Sequence, residues 1–539
     1  MSNLLRNIHQ QVGRVLPSLL GQEQNVPERL IVRPVDIWAG DEESGQLLCD
    51  GVFTRHGQQV QLHGECWEPV GVNAMWLAYL HGFDWLRDLR KVGSAAARQQ
   101  ARALMESWIV QYPRPRFFKN AEFTPWDLNL MGKRLSLWIA HYDFFAADSD
   151  PDFQDMFFLS LYRQASFLVK MMDAKDGKQT SWHDMPDEDL LQAAKGILFC
   201  GLAFEGHEIW VHKSLDHIID ITAHYIKPDG MHTSRSAFIA LRFLRTLLEV
   251  KSALHAGGHP VPDMVQDKIE ALVPAVRFFR YADKHFALMQ GTMGGEIDFI
   301  DGVLAQAAIK GRRLKHLKES GFSKLAVGRT TVMMDHGKAV QHLAPLSFEM
   351  SYGKDRVLTN CGSHESNSDW REMLSYMPAH NGVEILGESL SRSLKTFDYQ
   401  VDNAADYAYV QAAHDGYVSA CGLIHRRRLY LSQDGHDLRG EDAMFAQIPL
   451  VQGYMACARF HIHPKVLVSL VSDGSAALLR LPNGVGWRFH QSGGRLSLED
   501  SVYSGDLGGE PRKTQQLVVP FSVHSDATHM KWALRREGL

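Results

Sequence analysis

The stretch that decides the fold begins at His342-Leu-Ala-Pro-Leu-Ser-Phe-Glu-Met-Ser-Tyr-Gly353 and continues through Asn360-Cys-Gly362 to Ala379-His-Asn381. Two runs inside it, 346–350 and 356–359, are short and are bounded by turn-forming residues. That combination is typical of β-strands joined by tight turns. We therefore predict antiparallel strands at this point of the chain.

The same pattern extends through the C-terminal part of the sequence. After about residue 320, short strand candidates recur at fairly even spacing, with glycine, aspartate and asparagine turns between them. The further candidates are 330–334, 407–410, 429–431, 466–471, 476–481 and 515–519. This spacing predicts antiparallel sheets packed as a β-sandwich.

Three polar segments in this region have both a structural and a functional interpretation. His425-Arg-Arg-Arg428 alternates into a strand candidate, so we interpret it as a solvated strand edge, with a binding patch as the alternative. Arg439-Gly-Glu-Asp442 is typical of a charged turn that holds a loop. His461 and His463 have a metal-like spacing, but an ordinary half-exposed strand explains them more simply.

Towards the N-terminus the apolar residues recur with helical spacing instead. The predicted helical runs are 74–90, 131–145, 152–173, 188–204, 208–226, 234–256 and 263–283. Consecutive helices with short connections form hairpins, and an array of hairpins can curl into a toroid. The segment 28–56 is the exception, because 30–35 and 51–54 alternate like strands.

The predicted fold class is therefore α+β with more than one domain, since 539 residues exceed one ordinary core. We expect an incomplete (α/α) toroid of helical hairpins, with a short N-terminal strand region, at 1–318. An antiparallel β-sandwich is expected to follow at 319–539.

Composition excludes several classes of function. The net charge is −5 and the basic residues do not cluster, which argues against a nucleic-acid partner. No run approaches the ~20 apolar residues of a membrane span. Six scattered cysteines without a CxxC pair, and an N-terminus without a secretion signal, predict a cytoplasmic protein, with the periplasm as the alternative. Phosphate-loop, dinucleotide-binding and nucleophile-elbow motifs are missing, so we expect no organic cofactor.

The quoted stretch resembles the heparinase II/III family of polysaccharide lyases. The resemblance extends to four further segments: Gly201-Leu-Ala-Phe-Glu-Gly206, Asp229-Gly-Met-His-Thr-Ser-Arg235, Arg439–Asp442 and Arg459-Phe-His-Ile-His-Pro464. It implies a helical toroid followed by a β-sandwich. It also implies a lyase that acts by β-elimination on an anionic, uronate-containing polysaccharide or oligosaccharide.

Such a lyase must neutralise the uronate carboxylate, remove the adjacent proton and protonate the leaving oxygen. By the resemblance, the neutralising position falls at Glu188-Asp189, the catalytic tyrosine near Phe238-Ile239 and a catalytic histidine at Val340, and none of these residues suits its role. We therefore assign catalysis to the other polar residues of the matched segments, and substrate binding to their neighbours. The catalytic candidates are His380, His232 and Arg235, and the substrate-binding candidates are Arg371 and Asn381. The structural alternative makes Thr233 or Ser234 a helix N-cap and Arg235 a surface residue of the first turn.

The resemblance also implies a metal site. His342 and His380 fall on the two histidine positions of the family, and Asn360 stands where the family usually has aspartate. An amide oxygen is a poor ligand for zinc, so two interpretations stay open. Either Zn²⁺ or another divalent cation is bound by His342, Asn360 and His380, or two hydrogen-bonded histidines lie there without metal.

Three functions follow from these residues. The leading hypothesis is a polysaccharide lyase that acts on an anionic glycan. The alternative is a catalytically silent glycan-binding or structural protein of the same fold. A third and weaker hypothesis is a hydrolase of a neutral glycan, which would use two carboxylates from Glu188, Asp189, Glu205 and Glu208. The sequence predicts no oligomeric state.

Overall fold

The computed structural model describes residues 26–538, except 56–57, 63–66, 117–122, 174–185, 312, 365–366, 404–406, 451, 472–473, 507–508 and 525. Two parts of the sequence used above lie outside the described residues: the N-terminal segment 1–25, which bears on secretion, and Cys66. The chain divides into two compact units, one comprising 1–223 and 245–266 and the other 224–244 and 267–539. The expected domain boundary at 318 stays a prediction. Among the described helices, none is long and apolar enough to cross a membrane.

Helices dominate the chain before residue 310, as the apolar spacing predicts. They are α1 (Glu42–Cys49), α2 (Ala74–Gly82), α3 (Leu86–Val92), α4 (Ala95–Gln111), α5 (Leu128–Ala140), α6 (Tyr142–Phe145), α7 (Pro151–Asp173), α8 (Asp187–Ala203), α9 (Glu208–Tyr225), α10 (Ala237–Ala256), α11 (Asp263–Phe278) and α12 (Ile297–Ala307). Side chains satisfy the free N–H groups at several helix starts: Asp41 caps α1, Asn73 caps α2 and Ser94 caps α4.

The strand-like region before α2 is only partly as predicted. Residues 51–54 enter a small hairpin, β1 (Val52–Arg55) paired with β2 (Gln58–Gln61). Residues 30–35 form no strand, so that prediction is wrong. Pro34 lies within this run, and a proline lacks the N–H that a sheet ladder needs.

Large aromatic side chains fill the core of the first unit. Trp67, Trp85, Trp108 and Trp138 are each at most 1% exposed. The buried guanidinium of Arg134 lies 4.2 Å from the centre of the Trp108 ring and donates to the carbonyl oxygen of His81. A buried cation is tolerated here because its donors are bonded and its flat face lies on an aromatic ring.

From residue 316 onwards the second unit is built from antiparallel sheets, as predicted. Its strands are β3 (His316–Leu317), β4 (Phe322–Val327), β5 (Thr330–Asp335), β6 (Phe348–Tyr352), β7 (Asp355–Leu358), β8 (Val383–Ile385), β9 (Thr396–Asn403), β10 (Tyr407–Tyr417), β11 (Leu423–Ser432), β12 (Asp437–Ala446), β13 (Tyr454–His461), β14 (Leu467–Leu470), β15 (Ala476–Arg480), β16 (Gly486–Gln491), β17 (Ser497–Tyr503), β18 (Arg512–Val523) and β19 (Ala527–Arg536). Two short helices interrupt them, α13 (Ser368–Met373) and α14 (Val418–Cys421).

These strands form three sheets around one core. The eight-stranded sheet has the order β14-β15-β16-β19-β12-β11-β10-β9, the five-stranded sheet β3-β4-β5-β6-β7 and the four-stranded sheet β17-β18-β13-β8. Leu325, Val410, Phe460, Leu517 and Trp532, which come from all three sheets, meet in one buried apolar cluster. Buried and partly exposed residues alternate along these strands, as they do in β11, because successive side chains of a strand point to opposite faces of the sheet.

Two interpretations of charged segments are corrected by the register of the large sheet. Arg439–Asp442 is not a turn but lies within β12, where Gly440 makes room for Trp532; a Cβ at position 440 would lie 2.0 Å from the indole ring. His425–Arg428 is not a strand edge, because β11 lies between β10 and β12. Alternate residues of β11 face the core, and for that reason His425 and Arg427 are fully buried.

Candidate functional site

His342, Asn360 and His380 meet within the second unit. His342 lies in the connection between β5 and β6, Asn360 follows β7, and His380 follows the 3₁₀ turn Met377–Ala379 that leads into β8. All three side chains are at most 2% exposed. The two histidines are in contact and Asn360 is bonded to the residue after His380, but the sequence does not reveal how deeply these side chains are buried.

The two histidines contact each other edge to face. Their ring centres lie 4.9 Å apart, and the ring planes cross at 63°. Burial lowers the pKa of His380 to about 4, although a hydrogen bond to the carbonyl oxygen of Leu374 opposes the shift. Burial and the neighbouring His380 hold the pKa of His342 well below its ordinary value. Both rings are therefore neutral near pH 7.

The bonds of these rings bear on the predicted metal site. Nε2 of His380 lies 3.0 Å from the Leu374 carbonyl oxygen and must donate to it, so Nδ1 carries the lone pair. Nδ1 of His380 and Nδ1 of His342 are buried without a hydrogen-bond partner. Both nitrogens thus lack a protein partner, and an unprotonated imidazole nitrogen is a ligand that zinc prefers.

Asn360 does not complete such a site. Its Oδ1 accepts a hydrogen bond of 2.9 Å from the backbone N–H of Asn381, and its Nδ2 donates to the carbonyl oxygen of Leu288 at 3.1 Å. Within the described part of the chain, no three His, Cys, Asp or Glu side chains are grouped so that they could hold a metal ion. The residues present therefore do not fit a tetrahedral zinc site as they stand.

Asn381 joins two strands of the β-sandwich. Its Nδ2 donates to the carbonyl oxygen of Phe348 on β6 at 2.8 Å, and its Oδ1 accepts from the backbone N–H of His461 on β13 at 2.6 Å. The side chain is fully buried. Substrate binding by Asn381 stays a prediction, and both ends of its side-chain amide are already bonded to the strands.

Arg371 is the exposed member of the predicted set. It lies on α13, and its Nε donates to the carbonyl oxygen of His364 at 3.1 Å. Its side chain is open to solvent. Among the candidates, Arg371 is thus the one whose charge a ligand in solution can reach directly.

His232 and Arg235 lie between α9 and α10 and are buried. The His232 ring stacks on Tyr225 at 5.9 Å, and its Nδ1 lies 2.8 Å from the Ser234 hydroxyl. Arg235 is 1% exposed, so the alternative that made it a surface residue is wrong. Its guanidinium donates to the carbonyl oxygen of Ser320 at 2.7 Å and forms an ion pair with Asp335. These bonds also hold its left-handed backbone, at φ 63°.

Gln290 is a central residue that the sequence did not suggest. Its Oε1 accepts hydrogen bonds of 3.1–3.3 Å from the backbone N–H groups of residues 340–342. Its Nε2 donates to Asp335 at 2.7 Å, and so it connects the Arg235 ion pair to the segment that carries His342. The available signal in the sequence was the neighbouring Gly291, because both residues have positive φ.

The comparisons with known proteins agree with this architecture. Residues 309–533 match the family model described as "Heparinase II/III-like, C-terminal". A crystal structure of heparinase III superposes with a TM-score of 0.78 at 13% identity, over 97% of this chain and 89% of that one. Heparan sulfate lyase HepC from Pedobacter heparinus gives 0.64 at 12% identity, over 98% and 88%. At these identities the likeness concerns the fold.

A further relative is similar along its length. FtsZ-localized protein C from Caulobacter vibrioides (strain NA1000 / CB15N) is 29% identical over 546 residues, which cover 95% of this chain and 91% of that protein. The predicted fold class, a helical toroid followed by an antiparallel β-sandwich, is confirmed by the heparinase III likeness. The family resemblance is confirmed as well: residues 309–533 form a heparinase II/III-like C-terminal domain, and the chain as a whole has the fold of heparinase III.

Proposed function

We propose that this chain uses the heparinase fold without the lyase reaction and serves as a structural partner of the FtsZ-based division machinery. The observation that carries the proposal is the state of the predicted catalytic residues. His380, His232 and Arg235 are each at most 1% exposed. A group that transfers a proton to a polymer must touch it, and these three contact protein groups instead.

The pKa of His380 supports the same conclusion. A general base or acid works best when its pKa lies near the working pH. Burial lowers the pKa of His380 to about 4, so at neutral pH it is not an imidazolium that could act as a general acid, and it is only a weak general base. The positions that the family resemblance assigns to the carboxylate-neutralising residue and the tyrosine hold Glu188-Asp189 and Phe238-Ile239, which do not supply the missing chemistry.

The proposed partner is suggested by the relative that matches nearly the whole chain. The name of that protein states that it is FtsZ-localized, and the match covers 95% of the present chain. The cytoplasm is the compartment we propose, with the periplasm as the alternative. The five cysteines within the described residues, Cys49, Cys200, Cys361, Cys421 and Cys457, are free thiols, which is typical of a reducing compartment.

A lyase that acts on an acidic polysaccharide is the second candidate. Its support is the likeness to heparinase III and to heparan sulfate lyase HepC over almost the full length of the chain. In that case His380 would move a proton and Arg371 would contact the anionic substrate. This requires the segment around His380 to open, since the ring is 1% exposed in the present conformation.

Two assays on the full chain separate the candidates. In the first, the protein is incubated with heparan sulfate, chondroitin sulfate and polygalacturonate, and the ultraviolet absorbance of the unsaturated product is followed, with His380→Ala as the control. In the second, the protein is sedimented with FtsZ polymers from the same organism. We expect no product and co-sedimentation. Product formation that His380→Ala abolishes would establish the lyase, and absence from the FtsZ pellet would remove the proposed partner.

A further inference from the structure

The outer face of the eight-stranded sheet carries a shallow depression of about 410 Å³, here called the sheet groove. It is lined by Tyr409, Arg428, Tyr430, Arg439, His490 and Lys531. These residues lie on the solvent side of β10, β11, β12, β16 and β19. None of them belongs to the His342–His380 cluster.

The depression follows from the register of five neighbouring strands. Tyr409 pairs with Tyr430, Tyr430 with Arg439, Arg439 with Ala533, and Ala533 with His490. Four of these side chains are long and one is a methyl group. Because cross-strand neighbours stand side by side, the alanine leaves a gap between Arg439 and His490.

Tyrosine rings form one side of the groove. Tyr407 stacks on Tyr430, with ring centres 5.5 Å apart and planes 25° apart, and Tyr409 stands directly opposite Tyr430. The guanidinium of Arg439 lies 5.6 Å from the centre of the Tyr430 ring. The face of an aromatic ring is apolar and electron-rich, so it suits the C–H face of a sugar ring as well as a cation.

The charge of the groove is positive in a chain whose net charge is −5. Arg428 pairs with Glu441 at 3.1 Å, and Arg439 pairs with Asp437 at 2.7 Å. Lys531 stands opposite Glu441 in the ladder, yet no carboxylate of the described residues lies within ion-pair distance of its ammonium group. The lining thus combines three cations with the one carboxylate of Glu441, which favours an anionic ligand.

The backbone around the groove argues against a peptide strand as that ligand. A peptide that adds to a sheet gains its affinity from free N–H and C=O groups at an edge strand. The edges here are β9 and β14, whereas the groove lies over inner strands whose ladders are already paired. Side chains alone must recognise the ligand, through ring faces and fixed positive charges.

We propose that the sheet groove binds an anionic saccharide, with a sugar ring against the side formed by Tyr409 and Tyr430 and its carboxylate or sulfate group near Lys531 and Arg439. The tyrosine faces and the neighbouring cations match the two parts of such a ligand. The inference does not depend on the proposed function, because a binding surface on the outer sheet needs neither an active lyase nor a division partner.

Isothermal titration of the full chain tests this assignment. The probes are a heparin hexasaccharide, a galacturonate hexamer and neutral cellohexaose. We expect at least one anionic hexamer to bind at least about tenfold more tightly than cellohexaose, and its affinity to fall as salt rises. Tyr430→Ala and Lys531→Ala should each weaken binding about tenfold or more.

Matched controls lie on the four-stranded sheet of the same unit. Tyr454→Ala removes a partly exposed tyrosine from β13, and Lys513→Ala removes an exposed lysine from β18. Both should bind like the unchanged protein, and thermal unfolding should show all four variants folded. The assignment is overturned if no anionic hexamer binds, if cellohexaose binds equally well, or if Tyr430→Ala and Lys531→Ala both bind like the unchanged protein.

Discussion

Arg427 and Arg428 are neighbours on β11, yet they belong to two regions of opposite character. Arg427 points inward, is fully buried, and donates to Asp442 and to the carbonyl oxygens of Leu346 and Asn381. Arg428 points outward into the sheet groove and is partly exposed. The inner region holds the segments that match the lyase family, and its polar groups bond to one another. The outer region is open to solvent, so a ligand can reach its charges without any rearrangement.

Polar residues near a family motif therefore need not form an active site. A buried polar group must find partners, and a network of such groups fixes how strands pack. Asp442 illustrates this, because it accepts hydrogen bonds from His425, Arg427 and Trp532. In this region the histidines, arginines and amides therefore contribute to stability, and we expect their substitution to change unfolding before it changes any activity.

The largest expected effect is at Arg427. Arg427→Leu leaves the buried carboxylate of Asp442 without its arginine, and we expect the free energy of unfolding to fall by about 3–5 kcal/mol. Arg428→Leu changes the same residue type one position along the strand and should cost less than about 1 kcal/mol, because its ion pair is partly exposed. Urea unfolding followed by circular dichroism measures both. Equal losses in the two variants would contradict the contrast between the two faces.

The next effect is the pH dependence that His380 contributes. Its pKa is lowered from 6.5 to about 4 on folding, so the unfolded chain binds a proton there that the folded chain does not. Stability is therefore unaffected by this proton above pH 6.5 and falls as the pH is lowered from 6.5 towards 4, because the unfolded chain is stabilised by binding it. Between pH 6.5 and 4 we expect the free energy of unfolding of His380→Phe to fall less steeply than that of the unchanged protein. The two slopes should differ by about 1.4 kcal/mol per pH unit.

An exposed histidine provides the control for this measurement. His212 lies on the solvent face of α9, and His212→Phe is the control for replacing a histidine by phenylalanine as such. The slope is read from urea unfolding midpoints between pH 4 and 7, because absolute stability will also change with packing. If His380→Phe and the unchanged protein have parallel curves, His380 is not held neutral by burial.

Much of this arrangement could be predicted from the sequence, but the part that decides function could not. Turn residues between short apolar runs predict eight of the seventeen described strands from β3 to β19, and the matched segments include the two histidines that contact each other, His342 and His380. Burial of Arg235 depends on Asp335, which is 100 residues further along the chain, and no local pattern reveals such a partner. Likewise, the sheet groove depends on the register of five strands, which a single sequence does not specify.

A smaller effect is expected at Asn360, where one substitution also tests whether the site can bind a metal ion. Asn360→Asp cannot donate to the carbonyl oxygen of Leu288, so in the presence of a chelator we expect a loss of about 1–3 kcal/mol. The family resemblance places an aspartate at this position, so the variant tests whether a carboxylate there binds zinc together with Nδ1 of His342 and His380, which have no hydrogen-bond partner. Added zinc should therefore raise the melting temperature of the variant and leave that of the unchanged protein as it is. Stabilisation of the unchanged protein by zinc would mean that Asn360 releases its present bonds.

The smallest effect on stability is expected in the sheet groove, at Tyr430. Tyr430→Thr keeps a residue that favours strands but removes the ring that stacks on Tyr407. Cross-strand aromatic contacts contribute roughly 0.2–1 kcal/mol, so the unfolding midpoint should hardly change. The matched inward substitution, Leu431→Thr, removes a fully buried side chain one position along β11 and should cost about 2 kcal/mol or more. A large loss at Tyr430 would mean that the outer face, like the inner one, is organised for stability, and the case for a ligand there would weaken with it.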